Sequence, residues 1–107
     1  MERKFYGVKF TESAEKDLKK INQSNKAIAK LLKKWISENL IGTQNPKQRG
    51  KALTGNLKGL WRYRVGSYRI IAEIKNDILL ILIIEISDRK EIYKDKKRKT
   101  YKDEKIK

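Results

Sequence analysis

The sequence contains no cysteine and no histidine. The first absence excludes disulfides and thiolate metal sites. The second removes the commonest metal ligand and the usual general base, so any catalysis must use other groups; no metal or cofactor is expected. No run of about 18 or more apolar residues occurs, and a membrane-spanning helix needs one; the longest greasy segment, Ile78 to Ile84, is strand-sized. Met1 to Phe10 alternates charge and apolarity and lacks the apolar centre of a signal peptide, so a cytoplasmic protein is expected. Acidic residues are few, 13 against 28 Lys and Arg, for a net charge of +15. A field of that sign draws nucleic acid, ribosome surface or an acidic protein partner. Codon bias in an AT-rich genome accounts for lysines, but not for arginines gathered between Arg49 and Arg89.

With 107 residues, 38% of them hydrophobic, the chain suffices for one domain with one modest core. Phe5 to Phe10 reads as a strand. Thr11 is placed as a helix N-cap, with Glu12 and Glu15 near the positive helix end. Ala14, Leu18 and Ile21 form one helical stripe. Asn22 to Asn25 is a polar break in which Ser24 or Asn25 caps a second helix, whose apolar face is Ile28, Leu31, Leu32, Trp35 and Ile36. A connection this short implies an antiparallel helical hairpin. The segment from Ile41 to Asn56 holds the only proline, Pro46, with three glycines, and reads as a loop.

Leu60 to Val65 and Tyr68 to Ile74 read as strands joined by Gly66-Ser67, a two-residue loop with glycine first, the type II′ signature. Asn76-Asp77 marks a second hairpin. Ile78 to Ile86, apolar on both faces, is the central strand. A domain over 1–95 is expected, with a charged tail over 96–107. The order strand, helix, helix, three strands, with a tail helix as an option, implies an α+β fold, β-α-α-β-β-β(-α): a helical hairpin packed on one face of a small, mostly antiparallel sheet.

Strand side chains alternate faces. Trp61, Tyr63 and Val65 share one face; Arg62 and Arg64 share the other. If Gly66-Ser67 is the loop, Val65 pairs with Tyr68 and Arg64 lies opposite Arg69, so three arginines cluster. Like charges opposed across strands are destabilising, and their gathering is easier to understand if an anion binds there, since guanidinium forks match phosphate oxygens. A solvated face with arginines chosen for solubility is the bland alternative. Parity does not bring Arg89 to this face unless a bulge or strand end near Ser87-Asp88 redirects it. Ile71, Leu80 and Leu82 share the arginine side and offer an apolar strip to a partner helix or strand. Gly55 and Gly59 look like turn glycines. Trp35 is read as core and Trp61 as core or edge packing. Glu73 and Glu85 are not a convincing carboxylate pair.

From Gly50 onward the chain resembles the RelE family of toxin–antitoxin toxins. The resemblance is carried by Gly50-Lys51-Ala52-Leu53-Thr54-Gly55, by Gly59 to Ile74 (Gly-Leu-Trp-Arg-Tyr-Arg-Val-Gly-Ser-Tyr-Arg-Ile-Ile-Ala-Glu-Ile), and by Ile86-Ser87-Asp88-Arg89-Lys90-Glu91-Ile92-Tyr93. Val8-Lys9-Phe10 leading into Ala14, Asp17 and Leu18 also fits. It implies a RelE-like fold and a ribosome-dependent, metal-independent endoribonuclease that cuts mRNA in the A site by 2′-hydroxyl attack. Its implied partners are a cognate antitoxin in a hetero-oligomer, mRNA, and the ribosome with its 16S ribosomal RNA. Carried over by position, Arg62 and Arg64 match the family's basic strand pair, Arg69 its phosphate-binding arginine, Arg89 the arginine before the last element, and Tyr93 the C-terminal tyrosine. Tyr93 either accepts a proton or stacks on the exposed base. Lys47, Arg49, Lys51 and Lys58 flank the site as candidate RNA-backbone contacts. Two departures stand out: arginine replaces the lysines frequent at the strand pair, and Ser87-Asp88 stands where many relatives have Gly-His. The competing readings are a ParE-type toxin, which poisons DNA gyrase, and a non-catalytic nucleic-acid binder.

Overall fold

The computed structural model describes residues 4–88. Arg89, Tyr93 and the tail expected over 96–107 lie outside the described residues. A five-stranded sheet runs in the order β1 (Gly7–Phe10), β5 (Leu80–Asp88), β4 (Tyr68–Lys75), β3 (Trp61–Val65) and β2 (Lys51–Ala52). β1 is parallel to β5 and every other pairing is antiparallel. Two helices, α1 (Glu12–Ser24) and α2 (Lys26–Asn39), pack against one face. The architecture is the α+β one expected. Among the described residues no helix is long and apolar enough to cross a membrane.

Both helix starts follow from capping chemistry. The Thr11 hydroxyl accepts the Ala14 N–H at 3.1 Å, occupying one of the orphan donors of the first turn. Asn25 ends α1 by donating its N–H to the Ile21 carbonyl, and its side chain caps α2 by accepting from Ile28 N–H at 3.2 Å. One residue therefore makes the hairpin corner, where a four-residue break was expected. Beneath the helices, Tyr63, Val65, Ile70, Ala72, Ile81, Ile83 and Ile86 meet Ala14, Ile21, Ala29, Leu32, Ile36 and Leu40. Leu31, placed on the apolar face by periodicity, is half exposed; the helix buries the narrower stripe of Ala29, Leu32 and Ile36.

The central strand differs from expectation at both ends. Asn76–Ile78 forms a 3-10 turn, Leu79 takes the left-handed conformation (φ 53°), and β5 begins only at Leu80. Ile78 is consequently exposed. Further along, Ile71 pairs with Glu85 and Ala72 with Ile83, so Ile84 is an extra residue, a β-bulge. A bulge frees backbone groups that must find other partners. Here α1 supplies them: the Thr11 hydroxyl donates to the Ile84 carbonyl at 3.2 Å, and the Asp17 carboxylate accepts the Ile86 N–H at 3.0 Å.

Candidate active site

The hairpin between β3 and β4 sets the site. Gly66 has φ +61°, the left-handed value a type II′ turn requires at its first loop position. The register that follows pairs Val65 with Tyr68, Arg64 with Arg69, Tyr63 with Ile70 and Arg62 with Ile71. Directly opposed residues point to the same face, so Arg62, Arg64 and Arg69 share the face away from the helices. Arg64 is exposed, while Arg62 and Arg69 are half-buried. The Arg62 Nε is buried with no hydrogen-bond partner among the described residues. A buried donor left unfilled costs free energy, and an anion oxygen would satisfy it.

The bulge adds two residues to this face. Without it, alternation from Ile81 and Ile83 would carry Glu85 into the hydrophobic core. With it, Glu85 lies opposite Ile71 and Ser87 opposite Arg69. The bulge sits at Ile84, ahead of the Ser87-Asp88 position at which the sequence would need one to turn Arg89, which lies outside the described residues. Two cross-strand rows result on the arginine face, Lys51–Arg62–Ile71–Glu85 and Arg64–Arg69–Ser87. Glu85 and Ser87 are each 3% exposed, and the Ser87 hydroxyl donates to the Glu85 carboxylate at 3.0 Å. Ile71 is also buried, so of the three apolar residues expected to greet a partner only Leu80 and Leu82 are part-exposed.

The loop before β2 is strapped to the outer edge of β3. The Tyr63 hydroxyl, fully buried, donates to the Pro46 carbonyl at 2.6 Å, and the Trp61 indole donates to the Arg49 carbonyl at 2.7 Å. Burial pushes the Tyr63 phenol above its ordinary pKa, so it serves as a structural donor. Gly50 (φ +88°) lies so close to β3 that a Cβ there would stand 2.2 Å from the Arg62 carbonyl oxygen. The strap leaves a cleft of about 390 Å³ lined by Arg49, Gly50, Lys51, Arg62 and Arg64 over Trp35 and Tyr63.

Of the flanking basic residues, Arg49 and Lys51 therefore join the arginines. Lys47 does not: its ammonium lies 5.7 Å from the centre of the Trp61 ring, on a residue of opposite parity to the arginines. Lys58 caps the 3-10 turn Gly55–Leu57 ahead of β3 and lines no part of the cleft. Sequence reasoning missed Trp61 and Gly50 as the residues that hold the strap, and it missed Glu85 and Ser87 as neighbours of the arginines. A lone charge in an otherwise greasy strand was the available signal for the bulge.

The sequence over residues 8–93 matches the family model described as the ParE toxin of type II toxin–antitoxin systems. Among curated proteins, none matches the sequence. Solved structures similar to this chain include the RelBE2 toxin–antitoxin complex from Mycobacterium tuberculosis, at 25% identity and TM-score 0.68, covering 81% of this chain and 94% of that one. The RelB–RelE antitoxin–toxin complex from Methanococcus jannaschii matches at 29% identity and TM-score 0.51, covering 79% and 94%. The isolated RelE toxin from E. coli, at 20% identity and TM-score 0.61 over 78% and 83%, shares the fold.

Proposed function

The chain belongs to the ParE toxin family of type II toxin–antitoxin systems, and on that premise we propose that it is an endoribonuclease of the RelE kind, acting on mRNA in the ribosomal A site. The observation that carries this reading is the gathering of Arg62, Arg64 and Arg69 on one face, with the Arg62 Nε buried and lacking a partner among the described residues. In the proposed reaction the RNA supplies its own nucleophile, so proximity comes with the substrate. The 2′-oxygen loses its proton and bonds to phosphorus. The bond from phosphorus to the 5′-oxygen breaks, and that oxygen takes up a proton. The products are a 2′,3′-cyclic phosphate and a 5′-hydroxyl.

Permanent cations aimed at the developing phosphorane charge are the protein's main contribution. Arg69 is assigned to the phosphate, with Arg62 and Arg64 near the attacking or leaving oxygen. Arg89 and Tyr93 complete the set by position in the sequence, Arg89 as a further phosphate cation and Tyr93 orienting the exposed base by stacking. Arg49 and Lys51 extend the positive surface along the RNA backbone. The part-exposed Leu80 and Leu82 and the +15 charge suit an acidic antitoxin, in keeping with the two antitoxin complexes of similar fold.

A second reading, inhibition of DNA gyrase, draws support from the ParE name of the matching family. The arginine face weighs against it, because binding a protein target gives no reason to gather three arginines on one face of the sheet. Adding the purified protein to a translation reaction and mapping the mRNA by primer extension tests the choice. Ribosome-dependent cuts ending in cyclic phosphate support the nuclease. Intact mRNA with stalled gyrase–DNA complexes in a parallel assay overturns it.

A further inference from the structure

We propose that the cleft beside the arginine face holds a nucleobase of the bound RNA, stacked on Trp35, and that Trp35 is a substrate-binding residue. This deepens the nuclease reading and rests on it for the class of ligand. The cleft, about 390 Å³, falls within the range of small-molecule sites, roughly 300–1,000 Å³. Arg49, Lys51, Arg62 and Arg64 line it, and no acidic residue among those described does. Phosphate alone would need only those cations, yet the rest of the lining is aromatic: Trp35 from α2 and Tyr63 from β3. Trp35 packs on the core with part of its surface and is otherwise exposed in the cleft. A large ring left part-exposed among cations forgoes burial, which a stacked base restores. Grooves that pair cations for the backbone with an aromatic for the base are a general way to hold single-stranded RNA, because every base has a π-face.

The ring is also held in place before any ligand arrives. Its centre lies 5.7 Å from that of Tyr63, with the planes at 54°, and the Tyr63 hydroxyl is fixed on the Pro46 carbonyl. A wall already ordered loses little freedom on binding. Its position suits a nucleotide next to the reacting phosphate. Arg64 lines the cleft and pairs with Arg69 on β4, one strand spacing away, about 5 Å. RNA with a phosphate between these two arginines therefore brings a flanking nucleotide to the cleft. The other tryptophan, Trp61, does not serve: its indole donates to the Arg49 carbonyl, and it lines no part of the cleft.

The test titrates the full chain with a short single-stranded RNA, methylated at its 2′-oxygens so that it cannot be cut, and follows the two indole N–H signals by NMR. Versions of the same RNA that lack one base at a time are titrated in parallel. The Trp35 signal is expected to shift upfield under the stacked base, with the Trp61 signal moving less. Removing the base at one position should abolish that shift and weaken binding about fivefold or more. Trp35→Leu should weaken the intact RNA by a similar factor and the base-deleted RNA hardly at all, while Trp35→Phe restores part of the affinity. The salt dependence of binding should keep its slope in Trp35→Leu, which loses no phosphate contact, and become shallower in Arg64→Ala. A Trp35 signal unmoved by millimolar RNA, or affinity indifferent to every base deletion, overturns the proposal. Both readouts use the wild-type chain, so they decide even if Trp35→Leu does not fold. A chain that binds a base at Trp35 but cuts no mRNA on ribosomes defeats the nuclease reading alone; one that cuts mRNA with no base at Trp35 defeats this inference alone.

Discussion

Replacing Gly50 by alanine should cost far more than a surface loop substitution. Two separable penalties arise at this position. Its φ of +88° lies where a Cβ meets backbone strain of about 1–2 kcal/mol. The added carbon would also stand 2.2 Å from the Arg62 carbonyl oxygen and 2.9 Å from the Trp61 Nε1, and an ordinary carbon–oxygen contact needs roughly 1 Å more. Both neighbours belong to β3, so the strap must lift. Lifting breaks the Trp61–Arg49 and Tyr63–Pro46 hydrogen bonds, each contributing about 1 kcal/mol. Gly50→Ala is therefore expected to lose about 3–4 kcal/mol, a large share of the roughly 5–15 kcal/mol that holds a domain together. Gly66→Ala isolates the strain alone, because φ there is +61° with no atom within 4 Å of the built Cβ; it should lose about 1–2 kcal/mol. Urea unfolding of both variants gives the difference directly. Equal losses, or a Gly50→Ala loss below about 1 kcal/mol, would refute the strap. In a folded Gly50→Ala protein RNA affinity should also fall, since Arg49 and Lys51 ride on the displaced segment.

Other variants probe the remaining links. The buried Tyr63 phenol has its pKa raised above the unfolded value of about 10. Below that pH both states keep the proton and stability is level; above it only the unfolded chain releases the proton, so stability falls by about 1.4 kcal/mol per pH unit. Tyr63→Phe should show a shallower alkaline decline in urea midpoints between pH 9 and 11, together with a loss of about 1–2 kcal/mol at pH 7 for the orphaned Pro46 carbonyl. Asn25→Ala removes the α2 cap and should cost about 1 kcal/mol in the same assay; no change would mean that packing alone sets the corner. Asp17→Ala strips the Ile86 N–H of a charged acceptor and should cost about 1.5–3 kcal/mol. It should also speed hydrogen exchange at Ile86, and unchanged exchange would mean that Asp17 does not hold the bulge.

Much of this site was legible because turn chemistry fixes register. Gly66-Ser67 dictates which arginines face each other, and the observed pairing of Arg64 with Arg69 is the one that the loop demands. The same period-2 logic failed in β5. Ile81 to Ile86 is greasy throughout apart from Glu85, so that lone charge hints at a break in alternation without marking the residue that steps out of line, and the bulge depends on partners in α1 and its N-cap that are distant in sequence. Leu31 misled for a related reason: periodicity counts apolar positions but does not say that small Ala29 takes the seat against the sheet. β2, two residues long, is too short for any pattern and is made by the strap's hold on β3. Trp61 and Tyr63 looked like packing residues, and only coordinates reveal that their polar tips grip the loop.

The central claim is that guanidiniums converging from β3 and β4 act on one phosphodiester. Its most direct test is single-turnover cleavage of an A-site codon by Arg69→Ala, measured beside the wild type with matched circular dichroism. A rate at least a hundredfold lower in a natively folded variant is the predicted result. A rate within a few-fold of the wild type would contradict it.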